Sequence, residues 1–529
     1  MKPPAPLHPC LLFATFALCA FIFGCGGGHF NDPPGFGATA VAATQNPLVA
    51  QYTMTTALGC SGQVRVEFGP DTTYGRNTAW YPASGTSQTT TVLVAGMRAA
   101  TTYHMRAVAQ AQCTGSTNTF SSGDVTFTTG PLPPLPLPTL TVTRPNPSPS
   151  SPENPGIESI DITIPSTPAF LTDRDAYPIW YYDVGTGNYA FPFKLLPNGH
   201  MILNISFPSG DSRLREIDLA GNTIRELDIV TLQQKLQSAG YDFVPAFFHH
   251  DLLPLNNGHI LALVDVTRTI DSPEGYSGAT SVNGDAIVDL DQNWNPVWGW
   301  NSWNYLSVNR HPNGLPDWTH SNALIYSPND GNVLVSMRSQ SWILKIDYNN
   351  GAGSGNVLWK LGYEGDFALN EQGVASQDPS VWFWYQHFPS IVSQEGTVTT
   401  VAIWDNGDNR LDLTGTTCGS APPYTGCYSR ATLFQVDESA MVANLVWDDL
   451  PGYFGVWGGS INQLENGNVE FDLNAAVPPP DGIDASRVQE VTQIPNPEVI
   501  WQLDISPVTE TAYRAYRVPS LYPGVTWSY

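Results

Sequence analysis

Short apolar runs separated by polar turns follow one another along most of the chain. Residues 318–338, WTHSNALIYSPNDGNVLVSMR, show the pattern clearly, because two apolar runs flank an Asn-Asp-Gly-Asn turn. Such runs around an Asp-Gly turn are typical of an antiparallel hairpin. Folding it about the turn places Arg338 roughly opposite Ala323, where its guanidinium can reach the region of His320 and Asn322. A cation, an imidazole and an amide together suit an oxyanion, although a polar strand end in water fits the same pattern.

The same hairpin recurs along the chain. Its turn glycines lie at intervals of roughly 60–70 residues, a spacing typical of repeat proteins; they are Gly199, Gly258, Gly331, Gly396 and Gly467. A second pair of strands follows each hairpin, as in AIVDLDQNWNPVWGW after Gly258. Four strands per unit, repeated radially, are typical of a β-propeller. The pattern therefore predicts an all-β fold with about six such units over residues 158–529.

Three histidines occupy equivalent places in successive units. His250, His320 and His387 each stand shortly before the turn glycine of their hairpin, and Ser460 takes this place in the next unit. If this strand is the innermost of each blade, the four side chains converge on the central channel. One histidine in an apolar segment is usually structural, but three at equivalent positions predict a functional site, with Ser460 as a substrate contact. The doublet His249-His250 leaves open which ring faces the channel, and the phase favours His250.

Two carboxylates are predicted to orient these histidines. Folding the hairpins brings Asp405 roughly across from Gln386 and His387, and brings Asp265 near His249 and His250. A carboxylate beside an imidazole fixes its tautomer and raises its basicity. The run WDNGDNR around Asp405 also fits a polar turn or a cation-binding loop.

The N-terminal part is predicted to form a separate domain, since 529 residues are too many for one ordinary core. Short alternating runs over residues 33–130 predict a small β-sandwich, and Tyr103 stands where a tyrosine corner is expected. This segment resembles a fibronectin type III module. The proline-rich residues 131–157 predict a stiff, extended linker.

The first 25 residues predict export to the periplasm or the cell surface. Lys2 precedes an apolar run over residues 11–23 and a Gly-Cys pair ending at Cys25, which resembles a lipoprotein cleavage site. A lipid on Cys25 would attach the protein to a membrane, and an ordinary signal peptide cleaved nearby is the alternative. The net charge of −25, with only 22 Lys and Arg, argues against nucleic acid as a partner.

Cysteine usage agrees with an oxidising compartment. Four cysteines remain beyond the signal segment, and they are Cys60, Cys113, Cys418 and Cys427. The first two flank the predicted sandwich and the last two close a short loop, so we expect disulfides within each pair.

Several stretches resemble the blade motifs of the bacterial arylsulfate sulfotransferases. They are DWTHSN, LVSMRSQSWILKID, WYQHFPSIV, AIWDNGDNR, YSRATLFQVD and GGSINQLENGN, followed by the terminal TAYRAYRVPSLYP. The resemblance covers residues 160–529 and implies a six-bladed propeller with its site in the central channel. It also implies transfer of a sulfuryl group from a phenolic sulfate ester to a phenolic acceptor, without a cofactor or a nucleotide sulfate donor. The sequence has no Gly-rich Lys-Ser/Thr phosphate loop, which agrees with that independence.

The resemblance also implies roles for the clustered residues. His387 would be the covalent nucleophile, and the sulfuryl group would be held by His250, His320, Asn322 and Arg338. Sulfuryl transfer, like phosphoryl transfer, has a loose in-line transition state and needs fixed donors around the oxygens. Attack by neutral His387 would give an N-sulfohistidine and ping-pong kinetics, with His320 or His250 exchanging the proton with the phenols. Nearby aromatic residues would either hold phenol rings or pack in the core; they are Trp318, Trp382, Phe383, Trp384 and Tyr385.

Two other classes of protein fit parts of the sequence. A secreted propeller without catalysis, serving as a binding or adhesion module, would be expected to have lost part of this residue set. A metal-dependent hydrolase with the three histidines around a metal is disfavoured, because Arg338 would repel the cation and no carboxylate belongs to the inner ring. The expected partners are therefore a phenolic sulfate donor and a phenolic acceptor, and neither a metal nor a particular oligomeric state is predicted.

Overall fold

Short strands make up nearly all of the regular structure, which confirms the all-β prediction. The computed structural model describes residues 35–419, 424–474, 486–507 and 512–528. The predicted signal segment and Cys25 lie outside these residues, so a lipid there stays a prediction. Within the described ranges, no helix is long and apolar enough to cross a bilayer.

Six sheets, named A to F here, account for most of the described strands after the N-terminal module. Sheet A joins Ile157–Ile162, Ala169–Thr172 and Pro178–Tyr182 to the late strand Ala512–Val518. Sheet B contains Tyr189–Leu195, Met201–Ser206, Ser212–Ile217 and Thr223–Asp228. Sheet C contains Phe248–Pro254, Ile260–Asp271, Ala279–Leu290 and Pro296–Asn301. Each of these sheets is antiparallel.

The remaining three sheets repeat this plan, and sheets E and F have additional strands at their edges. Sheet D contains Ser321–Ser327, Asn332–Met337, Trp342–Ile346 and Val357–Leu361. Sheet E contains His387–Glu395, Val398–Asp405, Arg430–Asp437 and Val442–Asp449, extended by Ala368–Glu371 and Val374–Ala375. Sheet F contains Ser460–Gln463, Val469–Leu473, Ser486–Val491 and Val499–Ser506, extended by Thr139–Thr143. The added strand Thr139–Thr143 shows that the proline-rich segment 131–157 also forms a sheet edge.

Helices are short and peripheral. One α-helix spans Ile229–Ala239, begins at the N-cap Asp228 and ends at Gly240, whose φ of 84° suits a glycine. No sequence pattern had indicated this helix. Within the residues that the structure describes, 3₁₀ turns cover Ser302–Asn304, Arg338–Gln340, Asn349–Gly351 and Pro379–Val381.

Each sheet is apolar on both faces and packs between two neighbours. In the fully buried strand Trp342–Ile346, Ile343 joins a cluster with Val401 and Phe434 of sheet E, whereas Leu344 joins a cluster with Ile287 of sheet C. Burial of both faces explains why such strands read as continuous apolar runs. It also explains why one unit alone could not fold.

The innermost strands of the sheets touch one another in succession. Contacts run from the first strand of sheet B through those of C, D, E and F, then from Ser460–Gln463 to Ala512–Val518. Sheet A completes the circuit, because Ile157–Ile162 pairs with Ala512–Val518 and contacts Tyr189–Leu195 of sheet B. The start and the end of this part of the chain are thereby held together in one sheet.

The N-terminal module consists of two further sheets. One contains Gly35–Ala43, Ala50–Ala57 and Gln88–Val94. The other contains Gly62–Gly69, Arg76–Asn77, Tyr81–Ala83, Thr102–Cys113, Ser116–Ser121 and Val125–Thr128. The main-chain N–H of Arg98 donates to the Tyr103 hydroxyl (2.9 Å), a contact of the tyrosine-corner kind. The fibronectin type III assignment stays a prediction.

The C-terminal residues attach this module to the rest of the protein. The Trp527 ring packs edge-on against Phe68, with ring centres 5.8 Å apart, and its indole N–H donates to the carbonyl of Asn77 (2.9 Å). The hydroxyl of Tyr522 accepts from the main chain of Ala95 and donates to Leu93 (2.8 Å each). The module therefore packs directly on the sheets that follow it.

Both predicted disulfides are present. Cys60 pairs with Cys113 within the module, and Cys418 pairs with Cys427, with Cα atoms 5.4 and 5.1 Å apart respectively. Two disulfides are consistent with an exported protein.

Candidate active site

The three predicted histidines lie in or directly beside register shifts of the first strands of sheets C, D and E, with His320 just before the strand of sheet D. The strand register shifts between Phe248 and Leu252, between Ser321 and Ala323, and between His387 and Ser390. His250 and His320 have φ values of 48° and 47°, and Phe388, next to His387, has 35°. Such left-handed backbone at residues other than glycine costs on the order of 1 kcal/mol or more, and it concentrates at functional sites. A bulge re-aims the side chains around it, which here brings the imidazoles together.

The imidazoles meet around the ring of Tyr513. The ring centres of His250 and His320 are 4.7 Å apart, and the Tyr513 ring lies 5.7 Å from His250 and 5.6 Å from His387. Burial raises the pKa of the Tyr513 hydroxyl, which has no hydrogen-bond partner among the described residues. Tyr513 was not among the predicted site residues. The feature that could have indicated it is its position within TAYRAYRVP, a stretch that resembles the family.

His387 is held in one tautomer by Asn406. The Nδ1 atom of His387 lies 2.7 Å from Oδ1 of Asn406, whose Nδ2 donates to the carbonyls of Gly455 (2.8 Å) and Gly458 (3.0 Å). Carbonyl groups only accept, so the amide orientation is fixed and its oxygen must receive the Nδ1–H of His387. The lone pair therefore resides on Nε2, which accepts from the main-chain N–H of Gly458 at 3.2 Å.

The His387 ring is kept neutral by its surroundings. Burial, followed by the nearby positive charge of Arg338, holds its pKa well below the ordinary value. A neutral imidazole with its lone pair on Nε2 is a nucleophile.

Asp405 does not contact His387, which corrects the predicted pairing. His387 pairs with Trp404, and the Asp405 carboxylate instead accepts from the main chain of Trp384 (2.9 Å) and from the side chains of Arg410 (2.9 Å) and Arg430 (2.8 Å). Successive side chains on a strand point to opposite faces, so the residue that reaches His387 is the next one, Asn406.

Asp265 is near His249, as predicted, but among the described residues it makes no hydrogen bond to either histidine of the doublet. Its Oδ1 atom accepts from the main-chain N–H groups of Ala246 and Phe247, both at 2.8 Å, and so fixes the turn that leads into sheet C. The carboxylate beside the histidine doublet is Asp285, from the third strand of that sheet, with Oδ1 3.2 Å from Nε2 of His249. This strand pairing was not evident from the hairpin pattern.

His250 faces the site, and His249 stands behind it. The two Nδ1 atoms are 2.9 Å apart, so one ring must donate to the other. Burial and the neighbouring rings of His320 and His249 hold the pKa of His250 well below its ordinary value. His320 is more open, with 23% of its side chain exposed, and its Nδ1 lies 2.5 Å from Asp317.

Arg338 reaches the site from the end of the sheet D hairpin. The prediction that it stands opposite Ala323 is wrong, because Ala323 pairs with Ser336 and the bulge at Asn322 shifts the register. The main-chain N–H of Arg338 instead donates to the carbonyl of His320 (3.0 Å). Its guanidinium lies over the Tyr385 ring at 5.0 Å, and its buried Nε has no partner among the described residues. That free donor can bind an anion.

Asn322 and Ser460 are both fully buried and both bonded within the fold. The Asn322 amide donates to the carbonyl of Gln386 (2.8 Å), which ties sheet D to the residue before His387. The Ser460 hydroxyl donates to the carbonyl of Ala515. The Ser460 hydroxyl therefore has no second proton to donate to a substrate. This differs from its predicted role as a substrate contact.

Arg514 is another residue that no sequence pattern indicated. Its side chain holds the backbone of two site residues in place. Its guanidinium donates to Asp251 (3.0 Å) and to the carbonyls of Asn322 (2.9 Å) and His250 (3.2 Å). Lys194 completes the group with an ion pair of 2.5 Å to Asp251. These buried charges fix the backbone at two of the predicted site residues.

The predicted aromatic residues divide between core and cavity. Trp382 and Phe383 pack with Phe434 in the core, and Trp318 packs on Trp303. Trp384 and Tyr385 line a cavity of about 290 Å³ together with Arg310 and Tyr363. Because Tyr385 also contacts Arg338, this cavity adjoins the side of the site on which Arg338 lies.

No group of three His, Cys, Asp or Glu side chains is placed to hold a metal ion in the part of the chain that the structure describes. The donors that converge on the site are imidazoles, an arginine and main-chain N–H groups. Such donors suit an anion.

Residues 163–513, more than half of the 529, match the family model described as Arylsulfotransferase (ASST). The chain therefore belongs to the arylsulfotransferase (ASST) family. No curated protein matches it.

Similar solved structures share little sequence with the chain. The dihydro-heme d1 dehydrogenase NirN is 11% identical over 72% of this chain and 80% of that one, with a TM-score of 0.32. A Synechocystis apocarotenoid oxygenase is 10% identical over 93% and 96%, with a TM-score of 0.33. The hydrazine synthase of Kuenenia stuttgartiensis is 11% identical over 66% and 80%, with a TM-score of 0.31. At these TM-scores, the likenesses carry no argument about fold or function.

Proposed function

We propose that this protein is an exported arylsulfate sulfotransferase. It moves a sulfuryl group from a phenolic sulfate ester to a phenolic acceptor, without a nucleotide sulfate donor, through a sulfohistidine at His387. Membership of the arylsulfotransferase family supports the reaction class. The succession of contacts from sheet A to sheet F supports a six-bladed propeller with the site at its central channel.

The observation that carries the proposal is the fixed tautomer of His387. Asn406 accepts its Nδ1–H, so Nε2 presents a lone pair among the other histidines and near Arg338. A histidine that only packs in a core would not need a neutral ring, a defined tautomer and a cation beside it. A nucleophile that attacks an anionic ester needs all three.

The reaction has two half-reactions. The Nε2 lone pair of His387 attacks sulfur, the bond from sulfur to the phenolic oxygen breaks, and the first phenol leaves after taking a proton. The acceptor phenol then loses a proton and attacks the sulfohistidine, which returns His387 to its starting form. The contact from the N–H of Gly458 to Nε2 must open before the attack, and this N–H is then free to turn to a sulfuryl oxygen.

The remaining residues supply charge and protons. In this proposal Arg338, through its unpartnered Nε–H, and Asn322, through its second amide N–H, bind the sulfuryl oxygens, which gain negative charge in a loose transition state. His250 and His320 exchange the proton with the phenols. The cavity beside Tyr385 is the proposed place for one of the aryl rings.

The test is mass spectrometry of the protein after incubation with 4-nitrophenyl sulfate and no acceptor, quenched at alkaline pH. We expect one sulfuryl adduct, located on His387 by peptide sequencing and discharged when phenol is added. His387→Asn should form no adduct.

His259→Asn is the matched control, since this histidine lies in sheet C beside Asp289, at 3.0 Å, outside the cluster around Tyr513. It should form the adduct as the unmodified protein does. An adduct on another residue would overturn the assignment of the nucleophile. No adduct and no 4-nitrophenol across a panel of aryl sulfates would overturn the proposed function.

A further inference from the structure

His249 links a buried carboxylate to a histidine of the site. Its Nε2 lies 3.2 Å from Oδ1 of Asp285, and its Nδ1 lies 2.9 Å from Nδ1 of His250. His249 therefore stands between a carboxylate in the interior of sheet C and a ring at the centre of the site, with an ion-pair contact on the first side and a hydrogen bond on the second. Neither the family resemblance nor the predicted site assigns a role to His249 or Asp285.

Asp285 is built into the main chain around another site histidine. Its Oδ2 atom accepts from the Thr319 hydroxyl and from the main-chain N–H of Ser321, both at 2.6 Å. These two residues flank His320. Donors on one oxygen and an imidazole on the other hold the pKa of Asp285 below its ordinary value despite its burial. The carboxylate is therefore a fixed negative charge.

The charged groups around the two rings favour a proton on His249 over one on His250. His249 faces the carboxylates of Asp285 and Asp265 on neighbouring strands of sheet C, and contact with Asp285 raises its pKa against the effect of burial. His250 faces His320 of sheet D, His387 of sheet E and Arg514 of the last strand, and none of these attracts a second proton. An imidazolium at His249 donates through Nδ1, which makes Nδ1 of His250 an acceptor and leaves the single N–H of His250 on Nε2.

We propose that Asp285, His249 and His250 form a proton relay for the sulfotransfer reaction, in which His249 stores the proton and His250 delivers it. This inference rests on the proposed function. It resolves a difficulty in that mechanism, because a neutral His250 in a cationic site cannot by itself be the acid that protonates a phenolate. His249 is thus a positioning and proton-storing residue that does not touch the substrate.

The proton movements balance in both half-reactions. When the bond from sulfur to the phenolic oxygen breaks, Nε2–H of His250 gives its proton to the leaving oxygen, and Nδ1 of His250 takes the proton from Nδ1 of His249. Both rings are then neutral. In the second half-reaction Nε2 of His250 takes the proton of the acceptor phenol, and Nδ1 returns its proton to His249 beside Asp285.

The test compares two donors that differ in their need for an acid. The phenol released from phenyl sulfate resembles the tyrosine side chain, whose pKa is about 10, and it leaves poorly as an anion. Nitrophenol is far more acidic and needs little protonation. We expect His249→Gln to lower kcat/KM about 100-fold for phenyl sulfate, the usual range for loss of an acid, and by less than about 5-fold for 4-nitrophenyl sulfate.

His259→Gln serves as the control, because it removes another histidine of this sheet that pairs with a carboxylate of the strand Ala279–Leu290, here Asp289. It should leave both rates unchanged. An equal loss with the two donors in His249→Gln would reduce His249 to a packing residue, and no loss would remove it from the mechanism. Either outcome overturns the relay while the sulfohistidine at His387 remains.

Asp285→Asn tests the carboxylate of the relay. Without this negative charge the pKa of His249 falls, so His249 loses the stored proton at a lower pH. In a plot of kcat/KM for phenyl sulfate against pH, the alkaline limb should therefore move to lower pH.

Nitrogen NMR of the resting protein, labelled at histidine, tests the same inference without turnover. We expect His249 to carry both ring protons at neutral pH and His250 to carry one, on Nε2. A proton on Nδ1 of His250 would overturn the relay in the stated direction. This measurement decides the protonation pattern even if the wild-type protein transfers no sulfuryl group.

Discussion

Sheets E and F begin with strands at equivalent positions of the repeat, yet these strands direct their first polar side chain differently. In sheet E the strand is bulged after His387, Phe388 takes a left-handed φ of 35°, and the imidazole turns toward Tyr513. In sheet F the first strand, Ser460–Gln463, pairs without a register shift, and the Ser460 hydroxyl donates to the neighbouring strand.

The comparison shows that the position in the repeat does not by itself create a site. The regular strand of sheet F satisfies its polar side chain within the fold, whereas the bulged strands of sheets C, D and E direct theirs to a common centre. The bulged strands also differ in backbone energy, because His250, His320 and Phe388 adopt the left-handed conformation, which is unfavourable for residues other than glycine. The three bulges in equivalent strands therefore distinguish the site from the rest of the repeat better than the types of its residues do.

Loss of His387 should have the largest effect. We expect His387→Asn to lower the rate of 4-nitrophenol release by at least about 1,000-fold, as for removal of other covalent nucleophiles. The asparagine amide reaches the position of Nδ1 and can still donate to Oδ1 of Asn406, so circular dichroism should show an unchanged fold. Residual activity above about one tenth of the original would contradict the proposal that His387, at the start of sheet E, is the nucleophile.

Loss of the Arg338 charge should come next. Arg338→Gln removes the cation beside His387, and we expect kcat to fall about 100- to 1,000-fold, the range for a donor that stabilises transition-state charge. The pKa of His387 should rise at the same time, because Arg338 helps to lower it. Steady-state kinetics and the acid limb of the pH profile measure the two effects, and a change confined to KM would argue for ground-state binding alone.

Asn406 should have an intermediate effect. We expect Asn406→Ala to lower kcat/KM about 10- to 100-fold, as for other groups that orient a working histidine. Asp405→Asn tests the neighbouring position. It should act mainly on stability, measured by urea unfolding, because Asp405 pairs with Arg410 and Arg430. The reverse pattern would restore the role that the hairpin pairing predicted for Asp405.

The pH dependence should follow the charge state of His387. Because its pKa lies well below the ordinary 6.5, the ring stays neutral and kcat/KM should persist as the pH falls through 6.5. In Asn406→Asp a carboxylate accepts the Nδ1–H, which favours the imidazolium and raises this pKa. The acid limb should therefore move to higher pH, and a shift in the opposite direction would contradict the contact with Asn406.

Ser460 should matter least. We expect Ser460→Ala to change kcat/KM by less than about 3-fold, because the hydroxyl already donates to the main chain and has no proton left for a substrate. A drop of 100-fold would mean that this hydroxyl turns to the substrate during the reaction.

The hairpin pattern and the periodic glycines were enough to predict the fold class, because a four-stranded unit leaves a local signature in every repeat. The disulfide partners followed from their sequence neighbourhoods, since each pair closes one local unit. The phase of the strands also selected His250 over His249 as the ring in the site. These features depend on residues that lie close together in the chain.

Other features required the assembled sheets. The hairpin pairing predicted Asp405 as the partner of His387 and missed Asn406, because a bulge and the alternation of side chains displace the contact by one residue. It missed Asp285, which reaches His249 from a third strand, and it missed Tyr513 and Arg514, which reach the site from the far end of the chain.

The sequence by itself determined the repeat, the strands and the chemical types of the residues at the site. Only the tertiary structure decided which nitrogen of each histidine is free, because that depends on the acceptor that each ring meets. The choice of Nε2 on His387 is made by the oxygen of Asn406, whose own orientation is set by two glycine carbonyls. Hydrogen-bond direction depends on atoms that distant strands bring together, and no local pattern encodes it.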